Sequence, residues 1–179
     1  MNRFEQSSSF SRVASAPLSA GAVGGFADYN DTTGTVALSS DTWATVQNNG
    51  LGTFTNRDYL PAGVTELLDV SSGALDFSDL ALGDAVLIRN DFTVTPNTNN
   101  ALLKLRYQLG SGGSAYTLEK IVGRLDSGSG IGYRFSLQTD FIYMGDLNTQ
   151  ANPVSLQLNL SANGSFVNAG SVIQVIKYA

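Results

Sequence analysis

The sequence predicts an all-β protein, an antiparallel β-sandwich with an extended N-terminal arm, and three observations lead to this prediction. From residue 25 onward, apolar side chains alternate with polar ones at a period of two, which is typical of strands. Clusters of Asn, Asp, Thr and Gly, as at 30–34 and 48–50, separate these segments and indicate turns. Amphipathic helices of useful length are missing from the pattern, and only residues 65–68 suggest one helical turn.

The strands follow from the alternation in chain order. Short strands are expected at 25–29, 35–38, 43–46 and 67–70. Longer ones are expected at 85–94, 103–109, 116–122 and 131–143, and the last ones at 154–160, 165–167 and 172–178. Asn163-Gly164 is typical of a tight hairpin turn. Roughly eight to ten strands without helices fit two packed sheets, as in a sandwich or jelly roll.

The strand predicted at 131–143 carries four aromatic residues in one alternating register, Tyr133, Phe135, Phe141 and Tyr143. A single core can absorb such a face, and so can an interface between chains. The last strand, 172–178, is apolar on both faces, which favours the middle of a sheet or a subunit interface. We therefore predict an oligomer interface that contains Tyr133, Phe135, Phe141, Tyr143, Val175 and Tyr178. Trp43 lies among Thr and Val residues and is predicted to belong to the core.

Residues 1–24 differ from the rest and divide the chain into an arm and a domain at 25–179. The segment is rich in Ser and Ala and ends near Gly24-Gly25. A disordered tail is one interpretation. The other is an arm that docks onto a neighbouring protein through its few bulky and charged side chains, Phe4, Phe10, Arg12 and Val13.

Composition excludes several classes of function. The net charge of −5 and the absence of basic runs argue against nucleic-acid binding. The chain has no cysteine and no histidine, so thiol catalysis, Cys/His zinc sites and a Ser-His-Asp triad are excluded. We predict a non-enzymatic protein without cofactors or a membrane span. Structural calcium stays open at two acidic clusters, 28–31 and 76–79, although neither has the spacing of an EF-hand.

The stretch 75–91 combines an apolar-Asp-Phe segment, a Leu-x-x-Gly-Asp turn and an alternating strand that carries Arg89 and Asp91. It resembles tailed-phage virion proteins with a trimeric jelly roll of the TNF/C1q type, and the likeness covers about residues 65–178. The resemblance implies a homotrimer in which a late strand and the C-terminal strand line the threefold axis. It also implies that the arm docks onto the capsid or tail.

The leading hypothesis is therefore a trimeric capsid decoration, or cement, protein on the surface of a phage head. Its partners would be two further copies of itself and the major capsid protein or another virion protein. Two alternatives remain open at this point. One is the tip of a tail fibre or spike that binds a host receptor, and the other is a carbohydrate-binding adhesin sandwich.

Overall fold

The computed structural model describes residues 24–178, apart from the side chains of residues 138 and 139. The arm residues Phe4, Phe10, Arg12 and Val13 lie outside the described residues. Within that range the chain forms the strands β1 Gly24–Asn30, β2 Thr35–Leu38, β3 Trp43–Thr45, β4 Leu68–Asp69, β5 Ala74–Leu75, β6 Ala85–Pro96, β7 Ala101–Leu109, β8 Tyr116–Leu125, β9 Tyr133–Tyr143, β10 Ser155–Leu160 and β11 Gly164–Ile176. A short helix, α1, spans Leu147–Ala151, and a 3₁₀ turn spans Gly112–Ser114. The predicted all-β class is confirmed.

Nine of these strands build two antiparallel sheets. In sheet A the strand order is β1-β11-β6-β9, and β2 pairs with the beginning of β11. In sheet B the order is β3-β10-β7-β8. The first and last strands of the described chain are therefore neighbours in sheet A, while β4 and β5 form a small hairpin of their own. The predicted antiparallel sandwich is confirmed.

The core lies between the two sheets and is built from the inward half of each alternating strand. Sheet A contributes side chains such as Ile88 and Val175, and sheet B contributes Leu105 and Leu158, all fully buried. Burial of each such side chain contributes roughly 1.5–3 kcal/mol relative to exposure. The alternation with a period of two therefore determines which side chains form the core between the two sheets.

The C-terminal strand is one element and not two. We predicted separate strands at 165–167 and 172–178, but β11 runs unbroken from Gly164 to Ile176 with a bulge between Asn168 and Gly170. Gly170 has a φ of 136°, and a Cβ added there would lie 2.1 Å from the carbonyl oxygen of Tyr29. Glycine therefore lets the bulge pass close to β1.

A second bulge changes the faces of β9. Leu137 pairs with Asn90 and Asp140 pairs with Ile88, so that three residue steps on β9 oppose two on β6. Tyr133 and Phe135 point inward and pack against the core, whereas Phe141 and Tyr143 are exposed on the outer face. The prediction that all four aromatic residues share one face is wrong, because the extra residue reverses the alternation.

Two short segments also differ from expectation. Residues 65–68 form no helical turn, and Leu68–Asp69 is strand β4. The helix α1 was not predicted, because its five residues are too few to show an apolar period. It begins at an N-cap, where the carboxylate of Asp146 accepts a hydrogen bond of 2.8 Å from the backbone N–H of Thr149.

Candidate assembly surface

The outer face of sheet A is uncharged across its width at one end and mostly apolar there, with Gln174 as the polar exception. Paired residues on neighbouring strands share a face, so the register defines rows that run across the sheet. One row contains Gly24, Ile176, Ala85 and Tyr143, and the next contains Phe26, Gln174, Leu87 and Phe141. Neither row contains a charged side chain. With strands about 4.8 Å apart, each row is roughly 14 Å wide between the outermost strands.

Aromatic pairs stand at both ends of these rows. At the β1 end, Phe26 stacks on Tyr59 with their ring centroids 5.0 Å apart. At the β9 end, the rings of Phe141 and Tyr143 lie 6.5 Å apart. Between 42% and 59% of each of these four residues is exposed. We define the apolar band as Phe26, Tyr59, Leu87, Phe141, Tyr143, Ile176 and the exposed Tyr178 that follows Ile176.

The other end of the same face is polar and internally satisfied. The guanidinium of Arg89 lies 2.9 Å from the carboxylate of Asp91, which also accepts a hydrogen bond from Ser136. The pKa of the nearby Asp28 carboxyl is raised, chiefly by burial. The charge of Arg89 opposes this shift and the charge of Asp91 adds to it. The charged groups at this end therefore pair with one another, whereas the side chains of the apolar band remain exposed in the described chain. Exposed apolar patches of this kind mark contact surfaces.

The backbone beside β1 fixes the first aromatic pair. The N–H of Phe26 donates to the carbonyl of Tyr59 at 2.9 Å, and the N–H of Asp28 donates to the carbonyl of Asn56 at 2.9 Å. A Cβ on Gly25 would lie 2.3 Å from the Tyr59 oxygen, so glycine is needed for this approach. The loop that contains Asn56 and Tyr59 therefore covers the edge of β1 and holds Tyr59 beside Phe26. A groove of about 400 Å³ lies beside this pair, lined by Gly24, Gly25, Phe26, Tyr59, Leu60 and Gln174.

The opposite side of the sandwich is open. Among residues 24–178, β8 pairs only with β7 and β9 pairs only with β6, so each is the edge strand of its sheet. A groove of about 450 Å³ lies between them, lined by Tyr116, Leu118, Phe141, Ile142, Tyr143, Gly145 and Asp146. The apolar band therefore continues from the outer face of sheet A around the β9 edge. Long, uncovered edge strands with apolar side chains are prone to associate.

A polar network supports β9 from within the sandwich. The hydroxyl of Tyr107 donates a hydrogen bond of 2.8 Å to Oδ2 of Asp140, and the ammonium of Lys120 donates to Oδ1. The side-chain amide of Asn90 donates to the Tyr107 oxygen, and its own oxygen accepts a hydrogen bond of 2.7 Å from the hydroxyl of Ser171. Tyr107, Asn90 and Ser171 are buried. The sequence pattern showed only that Asn90 interrupts an alternating strand.

Burial raises the pKa of Tyr107 well above its ordinary value, and the charge of Asp140 and its hydrogen bond raise it further. The unfolded chain ionises this tyrosine near pH 10 while the folded chain keeps it neutral, so stability falls as the pH rises above about 10. We expect Tyr107→Phe to make that decline shallower. Urea unfolding between about pH 9 and 11.5 measures the slope, and Tyr178→Phe at the exposed chain end is the control.

The predicted interface residues divide into three groups. Phe141, Tyr143 and Tyr178 are exposed, with accessible fractions of 55%, 59% and 79% respectively. Tyr133 and Phe135 are half-buried on the inner face of β9. Val175 is fully buried between the sheets, which corrects its assignment to an interface, because a neighbouring chain cannot reach a side chain in the core. Phe26, Tyr59, Leu87 and Ile176 were not predicted, because only the strand order brings them together.

Trp43 lies on the outer face of sheet B and not in the core as predicted. It pairs with Asn159, and the next residue, Ala44, faces inward with Leu158. The guanidinium of Arg106 lies 4.2 Å from the centre of the indole ring, a cation–π contact that covers one face of the ring. Because a sugar would need that face, this arrangement does not favour the adhesin alternative.

Acidic side chains do not gather as metal ligands in residues 24–178: no group of three or more lies within reach of a common ion. In the first predicted cluster, Asp31 accepts hydrogen bonds from Thr33 and from the backbone of Asn49. In the second, Asp79 accepts from the hydroxyl and the N–H of Thr65 at 2.7 Å. The two carboxylates thus accept hydrogen bonds that join separate segments of the chain. The described chain also contains no helix with the length and apolarity needed to cross a membrane.

Comparison with known proteins leaves the family open. No family model matches the sequence, and no curated protein matches it significantly. A chain in the structure of infectious bursal disease virus Gx strain aligns with 89% of this chain and 30% of its own length, at 12% identity and a TM-score of 0.35. A chain in the structure of the Gt strain aligns with 88% of this chain and 31% of its own length, at 12% identity and a TM-score of 0.33. The protein thus spans less than a third of those chains, and at these TM-scores the likeness carries no functional argument.

Proposed function

We propose that the protein is a structural component of a virion, a homotrimeric decoration protein that stabilises the head of a tailed phage. The observation that carries the proposal is the apolar band, an uncharged aromatic surface that crosses sheet A and continues around an open edge. Within residues 24–178 no other segment covers it, and a neighbouring chain is the proposed cover. Only 14% of the residues are charged and the chain has no disulfide, so association is an available source of stability.

The two ends of the apolar band differ, which favours a ring. Phe26 and Tyr59 stand at one end, and Phe141 and Tyr143 stand at the other. If the first end of one protomer packs on the second end of the next, the contact is heterologous, and three such contacts close a threefold ring. Each protomer then uses both ends, so the trimer leaves neither aromatic pair exposed.

The strand order supports a viral jelly roll as the architecture. Eight strands divided into sheets ordered β1-β11-β6-β9 and β3-β10-β7-β8 follow the double Greek key of jelly rolls, which are common in capsid proteins. Fold alone does not establish function. Together with the resemblance of residues 75–91 to phage virion proteins, the order favours a position on the capsid surface.

Attachment to the shell is assigned to the arm. Phe4, Phe10, Arg12 and Val13 would bind the major capsid protein or another virion protein. The arm leaves the domain at Gly24, in the row that also contains Ile176 and Tyr143, so the arms of a trimer would leave from the same end as the apolar band. Three arms on one trimer add avidity, so weak individual contacts suffice.

Two measurements test the proposal. Light scattering of the purified chain should give three times its mass of 18.9 kDa. Empty heads that lack this protein, prepared from the phage that encodes it, should bind it stoichiometrically and melt at a higher temperature. A monomer at micromolar concentration would overturn the trimer. A trimer whose gene lies among tail genes, and which leaves heads unbound, would overturn decoration and favour the fibre tip.

A further inference from the structure

The exposure of Phe141 and Tyr143 depends on a single extra residue in β9. Up to Leu137 the odd-numbered residues face the core, and from Asp140 onward the even-numbered ones do. Without the bulge, Phe141 and Tyr143 would continue the odd register of Tyr133 and turn inward. The apolar band would then lose its β9 end. An unbulged register of β9 would therefore lack this part of the proposed assembly surface.

Hydrophobic burial by itself does not select the observed register. The observed register places five apolar or aromatic residues on the inner face, Tyr133, Phe135, Leu137, Ile142 and Met144. The unbulged strand would exchange Ile142 and Met144 for Phe141 and Tyr143, again five such residues, and it would keep a regular ladder to β6. The displaced residue could be taken up near Gly145, next to the turn that precedes α1. Another interaction must favour the bulge.

The polar network lies where the two registers diverge. Asn90 is the β6 residue opposite the start of the bulge, and Asp140 is the first β9 residue after it. In the bulged register Asp140 faces inward, and both of its oxygens are used, by Tyr107 and by Lys120. In the unbulged register Asp140 would face outward, and the buried Tyr107 hydroxyl would lose its acceptor. A buried O–H donor without an acceptor is costly, even though the Tyr107 oxygen still accepts from Asn90.

We propose that Asp140, Tyr107, Asn90 and Ser171 form a register lock that holds β9 in the bulged register and so positions Phe141 and Tyr143 for assembly. Buried polar groups are best known for such specification of register. The lock reaches into both sheets, since Tyr107 belongs to sheet B and its other three members belong to sheet A. Its role in assembly rests on the proposed function, but its effect on β9 does not.

A reciprocal labelling experiment tests the lock, since the chain contains no cysteine. Phe141→Cys and Ile142→Cys are made separately, and their reaction with a maleimide is timed in monomeric protein at high dilution. With the lock intact, position 141 reacts quickly and position 142 slowly, because Phe141 is 55% exposed and Ile142 is 2% exposed. In an Asp140→Ala background, which removes the carboxylate without adding a large apolar side chain, we expect the order to reverse, with about a tenfold change at each position.

Matched variants separate the lock from general loosening. Asp140→Asn keeps the shape and removes the charge. Glu119→Gln does the same on β8, where Glu119 forms an exposed ion pair with Lys104 of β7. Tyr107→Phe removes only the hydroxyl. We expect Asp140→Asn and Tyr107→Phe to shift the labelling ratio toward position 142 and Glu119→Gln to leave it unchanged.

The outcomes are distinguishable. If the labelling order stays the same in every Asp140 and Tyr107 variant, or if both positions become equally reactive, the network is only structural and the proposal is wrong. Reversed labelling in a chain that is monomeric before mutation would confirm the lock and refute the trimer. In a chain that forms trimers, reversed labelling should be accompanied by loss of the trimer.

Discussion

Replacement of Phe141 and Tyr143 together by serine is expected to convert the proposed trimer into monomers at micromolar concentration. More than half of each side chain is exposed in the protomer, so the domain itself should keep its unfolding free energy to within about 0.5 kcal/mol. Aromatic side chains at the centre of an interface each contribute about 2 kcal/mol or more, which is roughly a 30-fold change in dissociation constant per residue. A dilution series followed by light scattering or sedimentation measures the change.

The matched control removes equivalent apolar surface elsewhere. Leu51 and Phe54 are 75% and 78% exposed on the loop that follows β3, outside the apolar band. The variant Leu51→Ser with Phe54→Ser should keep the trimer mass. If both double variants dissociate equally, association is non-specific and the apolar band has no special role. An unchanged trimer in the Phe141 and Tyr143 variant would place the interface on another surface.

The alternation of side chains was sufficient to predict the class of fold and most strands. The long segments at β6, β7 and β10 emerge where they were expected, because in each of them one face contacts the core and one does not. The turn at Asn163-Gly164 likewise lies at the junction of β10 and β11. In these segments the local sequence pattern and the tertiary packing specify the same secondary structure.

The bulges could not be predicted, because they are selected by contacts between distant segments. The bulge of β9 depends on a hydroxyl from β7 and an amide from β6, which no local pattern reveals. The bulge of β11 depends on the close passage of β1 at Gly170. The two errors have one physical origin: a single inserted residue reverses every later side chain, and the sequence does not mark the insertion.

The candidate site was predicted in part for a related reason. Phe141, Tyr143 and Tyr178 were identified because aromatic residues are conspicuous in the sequence. Phe26, Leu87 and Ile176 were not, since each is an ordinary member of its own strand. They become one surface only through the order β1-β11-β6-β9, in which residues from the beginning, middle and end of the chain share two rows.

Deletion of residues 2–20 is expected to abolish binding to the shell while the trimer remains. The deletion ends before β1, which begins at Gly24, and it leaves the apolar band complete. Full burial of one Phe contributes about 1.5–3 kcal/mol, so an arm that buries both Phe4 and Phe10 contributes about 4 kcal/mol, roughly 1,000-fold in affinity. Because three arms act together, loss of all of them removes the avidity as well.

Co-sedimentation with empty heads measures this effect, and light scattering of the same samples reports the trimer. Phe4→Ser with Phe10→Ser in the full-length chain should reproduce most of the loss of binding to heads. Serine replacement of Leu18, the one leucine of residues 1–24, should leave binding unchanged. A truncated trimer that still binds heads stoichiometrically would show that the arm is dispensable and that the domain carries the contact. Since the arm and the apolar band are altered independently, attachment and assembly can each fail without the other.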